Sequence, residues 1–239
     1  MLNINGWIDG LSALIVILIG LVFSVFFIIK GKRSEAKLLK ILSLASFLVG
    51  IGFLGVICDF FSILFSGSNF SNANGEIALL SYIFVPWAFT IAIVFGNEIH
   101  IPTKQTKWAI SGVYAALAIV FMIIIVIDPF GSFDFIYPKG YPNSPESLVD
   151  YNVRLVSIPG IIIIVYAISL FLYLGVGILT KALKLSGDIR KNFIRISAGF
   201  ICFGLFGVLE VLISPGIILI FIRVGYISSF WVVYSGLKK

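Results

Sequence analysis

Charge is what this chain has least of. Only 12% of its 239 residues are Asp, Glu, Lys or Arg, against about one quarter in soluble globular domains, and its mean hydropathy is +1.13. A soluble protein is thereby excluded. Histidine is reduced to His100 and cysteine to Cys58 and Cys202, both inside apolar runs, so neither a metal cluster nor a loop-stapling disulfide framework can be drawn. Motifs of the HExxH and GxSxG kind are missing, and no intramembrane acids fall in a protease pattern, so the expectation is no enzyme and no cofactor. His100 stands beside Glu98 in Gly96-Asn97-Glu98-Ile99-His100-Ile101-Pro102, which reads as local polar contact at a helix end.

Long apolar runs are what is there instead. Crossing a hydrocarbon core of about 30 Å takes about 20 residues of helix. Such runs fall at Leu11–Ile29, Leu38–Phe65, Ile77–Phe95, Lys107–Ile127, Val153–Thr180, Phe193–Ile213 and Gly216–Ser235. The fold class expected is all-α: a polytopic membrane protein, one seven-transmembrane helix bundle with no separate soluble domain. Ser214 and Pro215, followed by Gly216, are the break that separates the last two runs. The first run has no basic segment before it and is followed by Lys30, Lys32 and Arg33, so it reads as a retained helix and not a signal peptide.

The net charge of +6 does not point to nucleic acid, because 14 of the 17 basic residues sit in connections on one side of the bundle. These are Lys30, Lys32, Arg33, Lys37, Lys40, Lys104, Lys107, Lys181, Lys184, Arg190, Lys191, Arg195, Lys238 and Lys239. Lys139 and Arg154 lie on the other side, and Arg223 lies inside the seventh run. Basic residues in short loops are retained in the cytoplasm. Met1 is therefore expected outside and Lys239 inside, in the plasma membrane, with membrane lipid as the first partner. The outer connection Ser66–Glu76 is small and polar; Pro129–Asn152 is long, with prolines, glycines and aromatics, and reads either as a lid or as a solvated loop.

Ionisable groups inside membrane helices are the best functional leads, since each costs a few kcal/mol at bilayer depth. Asp59, Glu210 and Arg223 are the three expected, at depths of roughly 9, 6 and 12 Å from the outer helix ends at ~1.5 Å per residue. Matching depth and opposite sign suggest that Arg223 pairs with Glu210, Asp59 or both, either as a ligand or ion site or as a packing clasp. Tyr226, Phe230 and Tyr234 share a face with Arg223, and Tyr166, Ser169 and Tyr173 share a face of the fifth helix; both stripes suit either a cavity wall or interhelical packing, as do Tyr82 and Trp87 around Pro86. The candidate cluster is thus Asp59, Glu210, Arg223, Tyr82 and Tyr226. Trp7 and Trp231 read as interfacial anchors. Gly50-Ile51-Gly52-Phe53-Leu54-Gly55 has dinucleotide-type spacing but lies within an apolar helix, where small residues serve close helix packing. Asn69-Phe70-Ser71 is a glycosylation-type triplet that chance readily supplies.

Three segments also carry a resemblance: Gly55-Val56-Ile57-Cys58-Asp59; Arg195 with Gly204-Leu205-Phe206-Gly207-Val208-Leu209-Glu210; and Arg223 through Tyr234-Ser235-Gly236. With them the chain resembles the seven-transmembrane sensor regions of archaeal and bacterial signalling proteins, particularly those placed before histidine kinases. That resemblance implies a receptor sensing a small ligand or membrane state. The sequence shows no cytosolic connection long enough for an output module, so signalling would pass to a separate cytosolic protein. A small-solute transporter or channel is the alternative. Retinal attachment, as in rhodopsins, is excluded because the last helix offers only Arg223 internally, and arginine is no Schiff-base nucleophile.

Overall fold

The computed structural model describes residues 2–213 and 216–238. Met1 and Lys239, on which the expected orientation was stated, and the Ser214-Pro215 break lie outside the described residues. Seven helices are long and apolar enough to cross a membrane: Ile4–Arg33, Lys37–Ser66, Glu76–His100, Lys104–Ile127, Ile158–Leu183, Gly187–Val211 and Ile217–Leu237. They are called here the first to seventh spans, and they form an all-α bundle.

Local chemistry sets the span ends. The first span begins at Ile4, well before Leu11, because Asn3 Oδ1 accepts from Gly6 N at 2.9 Å and caps the free N–H groups of the first turn. The fifth begins at Ile158 and not at Val153: Ser157 caps it, Pro159 presets the helical φ of the first turn, and Val153 belongs to a strand. Pro86 cannot continue the helix that ends at Tyr82, so the third span is jointed there and resumes at Val85. The second span is jointed similarly at Gly52-Phe53.

All the lysine-rich connections meet at one end of the bundle. There Glu98 receives Lys37 and Lys107, each at 2.9 Å, and Lys181 Nζ donates to Ile99 O at 2.9 Å. Glu98 is therefore neutralised by lysines and not by His100. At the opposite end Phe133–Ile136 (β1) and Asp150–Val153 (β2) pair antiparallel, Phe133 opposite Val153 and Ile136 opposite Asp150. The long connection is thus a folded hairpin, strapped to the shorter loop by Asn69 N on Pro142 O at 2.9 Å and Ser144 N on Gly67 O at 3.2 Å.

The fifth span changes character midway. Leu170–Val176 is a π-helical segment, and two carbonyls in it are taken by other spans: His100 Nε2 lies 2.9 Å from Tyr173 O, and Ser197 Oγ donates to Gly175 O at 2.7 Å. From this segment to Leu183 the span packs on the sixth, whereas Ile158–Ser169 leans on the third and fourth. The apolar core follows suit. Near the basic end it is one cluster, including Phe27, Leu42, Phe95, Leu174 and Phe200. Near the hairpin it divides into a group around Phe60 and Ile63 and another around Phe121 and Tyr166.

Close approach explains the glycine run. A Cβ on Gly20 would stand 2.8 Å from Gly50 Cα, and one on Gly55 would run into the Ile77 carbonyl. Gly112, by contrast, faces open space. Overpacking a tight backbone contact typically costs about 1–3 kcal/mol, so Gly55→Ala is expected to lower the melting temperature markedly in detergent. Gly112→Ala, a helix-favouring change, is expected to leave it equal or slightly higher; equal losses for both would contradict the packing assignment.

Candidate ligand cavity

Arg223 is the electrostatic centre of the hairpin half. It sits two turns into the seventh span with 4% of its surface exposed. Nε donates to Glu210 Oε1 at 2.9 Å, and Nη1 donates to Asp9 O at 2.8 Å and to Ser12 Oγ at 2.6 Å. Nη2 lies 2.7 Å from Asp9 Oδ1 and 2.9 Å from Glu210 Oε1. The Asp9 contact is a charge contact whose alignment falls short of a hydrogen bond, while Glu210 Oε2 is buried with no partner among the described residues. The Phe53 ring faces the guanidinium at 5.1 Å. Three spans, the first, sixth and seventh, are joined through this one side chain.

Asp59 is not in the cluster. Its carboxylate is fully buried and faces the loops, accepting from Asn69 Nδ2 at 3.0 and 3.1 Å, Phe70 N at 2.8 Å and Val149 N at 2.8 Å. Of the pairings left open for Arg223, the structure shows Glu210 and not Asp59: a buried carboxylate can be satisfied by N–H groups as well as by a cation. Asp59 instead pins both loops to the second span. The same bonds bury Asn69, 6% exposed, so its amide nitrogen is committed inside the protein and does not present a glycosylation acceptor.

Between the two halves of the divided core lies a cavity of about 420 Å³. Asp9, Glu210, Arg223, Tyr82 and Tyr226 line it, with Phe53 and Phe203 as further apolar wall. Tyr226 stacks on Phe203 at 4.7 Å, and Tyr82 rests on Phe133 at 4.9 Å. The hairpin contributes Val149 to Val153 to the lining, so the long connection covers the cavity end as a lid would. Tyr151 is held there by a 2.7 Å hydrogen bond with Ser81, whose Oγ also accepts from Gly55 N at 3.0 Å.

Four of the five expected residues therefore come together and Asp59 stands apart. Asp9 and Asp150 complete the lining, and both were missed. Asp9 precedes the apolar run, and the Asn3 cap was the signal that the helix already included it; Asp150 gives no signal outside the hairpin. The fifth-span stripe is packing and not cavity wall: Tyr166 OH donates to Tyr114 O at 2.6 Å, Tyr114 OH to Ser169 Oγ at 2.6 Å, and Tyr173 OH to Asn97 Oδ1 at 2.9 Å. Trp87 likewise packs, its Nε1 2.8 Å from Met122 Sδ. Comparison of the chain with family models, with curated proteins and with solved structures finds no match in any of the three.

Burial, then the neighbouring Asp9 carboxylate, pushes the Asp150 carboxyl above its ordinary range, only partly offset by the Tyr151 N–H and by Arg223. The folded state thus holds this proton more tightly than the unfolded chain. Its contribution to stability is lost as pH rises from the ordinary carboxylate range through the raised value. Asp150→Asn is expected to flatten that part of the stability profile, measured as melting temperature between pH 4 and 8; a profile parallel to wild type would contradict it. For Asp59, replacement by Asn puts donors against donors and forfeits charge-assisted bonds worth about 1.5–3 kcal/mol each. Asp59→Asn should therefore speed amide exchange at Phe70 and Val149 well beyond any change at Ser12, and uniform protection would refute the pinning role.

Proposed function

We propose that this chain is a receptor-like membrane protein whose cavity binds a small ligand beneath the hairpin and transmits its occupancy to helix ends at the basic face. The observation that carries the reading is the cavity itself: about 420 Å³, lined by Asp9, Glu210, Arg223, Tyr82 and Tyr226. That is within the size range of small-molecule sites, which combine apolar walls with a few convergent polar groups. A ligand touching Glu210 or Arg223 acts on the contact that joins the first, sixth and seventh spans. Those spans, with the second, third and fifth, end at the lysine-rich face, where basic side chains offer a surface to an acidic cytosolic signalling protein or to anionic lipid headgroups. The asymmetry of basic residues supports placing that face in the cytosol and the hairpin outside, across the plasma membrane. The resemblance to sensor regions of signalling proteins agrees with this reading.

A transporter is the second reading, favoured by the excess of buried carboxylates, which in membranes often mark ion or proton pathways. It predicts solute flux into sealed vesicles, which a receptor does not give.

The test is thermal stability of the purified protein against a panel of metabolites, for wild type, Arg223→Met, Glu210→Gln and the double variant. At least one compound is expected to raise the wild-type melting temperature, with the response lost in Arg223→Met. If no compound acts and the two single changes couple strongly in the double variant, the cluster is a packing clasp and the ligand reading fails.

A further inference from the structure

The cavity's charge does not balance. Asp9, Asp150 and Glu210 are three carboxyl groups lining one space with, among the described residues, one cation, Arg223. Arg223 is already committed to protein groups: Nε donates to Glu210, Nη1 to Asp9 O and Ser12 Oγ, and Nη2 stands in charge contact with the Asp9 and Glu210 carboxylates. An anionic ligand would have to compete with two carboxylates for Arg223, and among the described residues no lysine lines the cavity. A cationic ligand would find Glu210 Oε2, buried and without a partner among the described residues. It would also find the rings of Tyr82, Tyr151 and Tyr226 in the lining, a residue type whose π-face attracts cations.

The cavity also has a side. The π-helical segment separates the part of the fifth span that packs on the sixth from the part that leans on the third and fourth, so Ile158–Ser169 has at most marginal contact with the sixth span. Leu155, Ile164 and Val208 line the cavity and are nevertheless 47%, 39% and 46% exposed. Ile164 on the fifth span and Val208 on the sixth, with Leu155 just before the fifth, mark a side opening of the cavity, a slot on the outer surface of the bundle. Gly204, on the sixth span at this slot, lines the cavity and would meet nothing within 4 Å if it carried a Cβ.

We infer that the cavity takes an amphipathic organic amine from the bilayer, its ammonium group held among Glu210, Asp9 and Asp150 and its apolar chain lying in the slot between the fifth and sixth spans. This rests on the reading of the cavity as a ligand site. A lateral slot lets the chain remain in hydrocarbon while the head group exchanges water for carboxylates, and the added positive charge offsets the excess negative charge.

The experiment places wild type, Gly204→Leu and Glu210→Gln in nanodiscs of zwitterionic lipid and reads tryptophan-fluorescence melting with dodecylamine, dodecanol, dodecanoate or butylamine. Dodecylamine is expected to raise the wild-type melting temperature by about 5 °C, the scale of near-saturating binding to a chain of this size, and the other three by less than a third of that. Both variants should lose the response. A Cβ at position 204 meets nothing within 4 Å, and glutamine at 210 still reaches Arg223, so each variant is expected to fold; if one does not, the other decides. A rise with dodecanol or dodecanoate equal to that with dodecylamine overturns the amine class, and an equal rise with butylamine overturns entry from the lipid. A rise that persists in both variants is partition into the membrane and overturns the site. No rise with any of the four overturns the inference while the metabolite panel separately decides whether the cavity binds ligands at all.

Discussion

A guanidinium carried into a bilayer must bring its counter-charge with it, and Arg223 brings more than one. Breaking a buried ion pair by removing one partner typically costs about 3–5 kcal/mol, so the positions of Asp9 and Glu210 are tied to that of Arg223. Through these contacts the first, sixth and seventh spans share one fixed point near the hairpin end. The same contacts put two carboxyl groups on one guanidinium at the edge of the cavity. Glu210 Oε2 stands without a partner among the described residues, beside a space lined by Tyr82, Tyr151 and Tyr226.

Two further features shape that space. Asp59 ties the loops together from beneath: one buried carboxylate gathers N–H groups from the short loop and from the residue preceding β2. The π-helical segment shapes the side. By loosening the helical repeat for less than two turns it lets the fifth span pack on the sixth near the basic end and diverge from it near the hairpin. The carbonyls involved do not go wanting, since His100 and Ser197 lie in hydrogen-bonding reach of two of them. Wider turns of this kind inside α-helices are frequent at functional sites.

Much of this was legible in the residues, and the parts that were not share a cause. Seven spans follow from apolar run length, and the common location of the lysine-rich connections follows from their alternation. Glu210 and Arg223 were matched by depth and sign, a sound argument because hydrocarbon leaves such groups few other partners. Asp59 matches in depth as well but stands apart, because depth says nothing about the donors that loops fold back onto a carboxylate. The depth argument passed over Asp9 because hydropathy begins the first span at Leu11, whereas the capping of Asn3 begins it at Ile4. Val153 was placed in a helix for the same reason: its apolar neighbours hide a strand whose existence depends on a partner at Phe133. The divergence of the fifth span has no local signature, as Leu170 to Val176 is as apolar as the turns around it.

The most direct test of the account is a high-resolution structure of the protein in lipid nanodiscs. The account predicts Arg223 within 4 Å of both Asp9 and Glu210, and non-protein density in the cavity against Glu210, Tyr82 and Tyr226 that extends toward Gly204. A collapsed cavity, with Tyr82 and Tyr226 packed together and lipid tails against an Arg223 that has left both carboxylates, would contradict it.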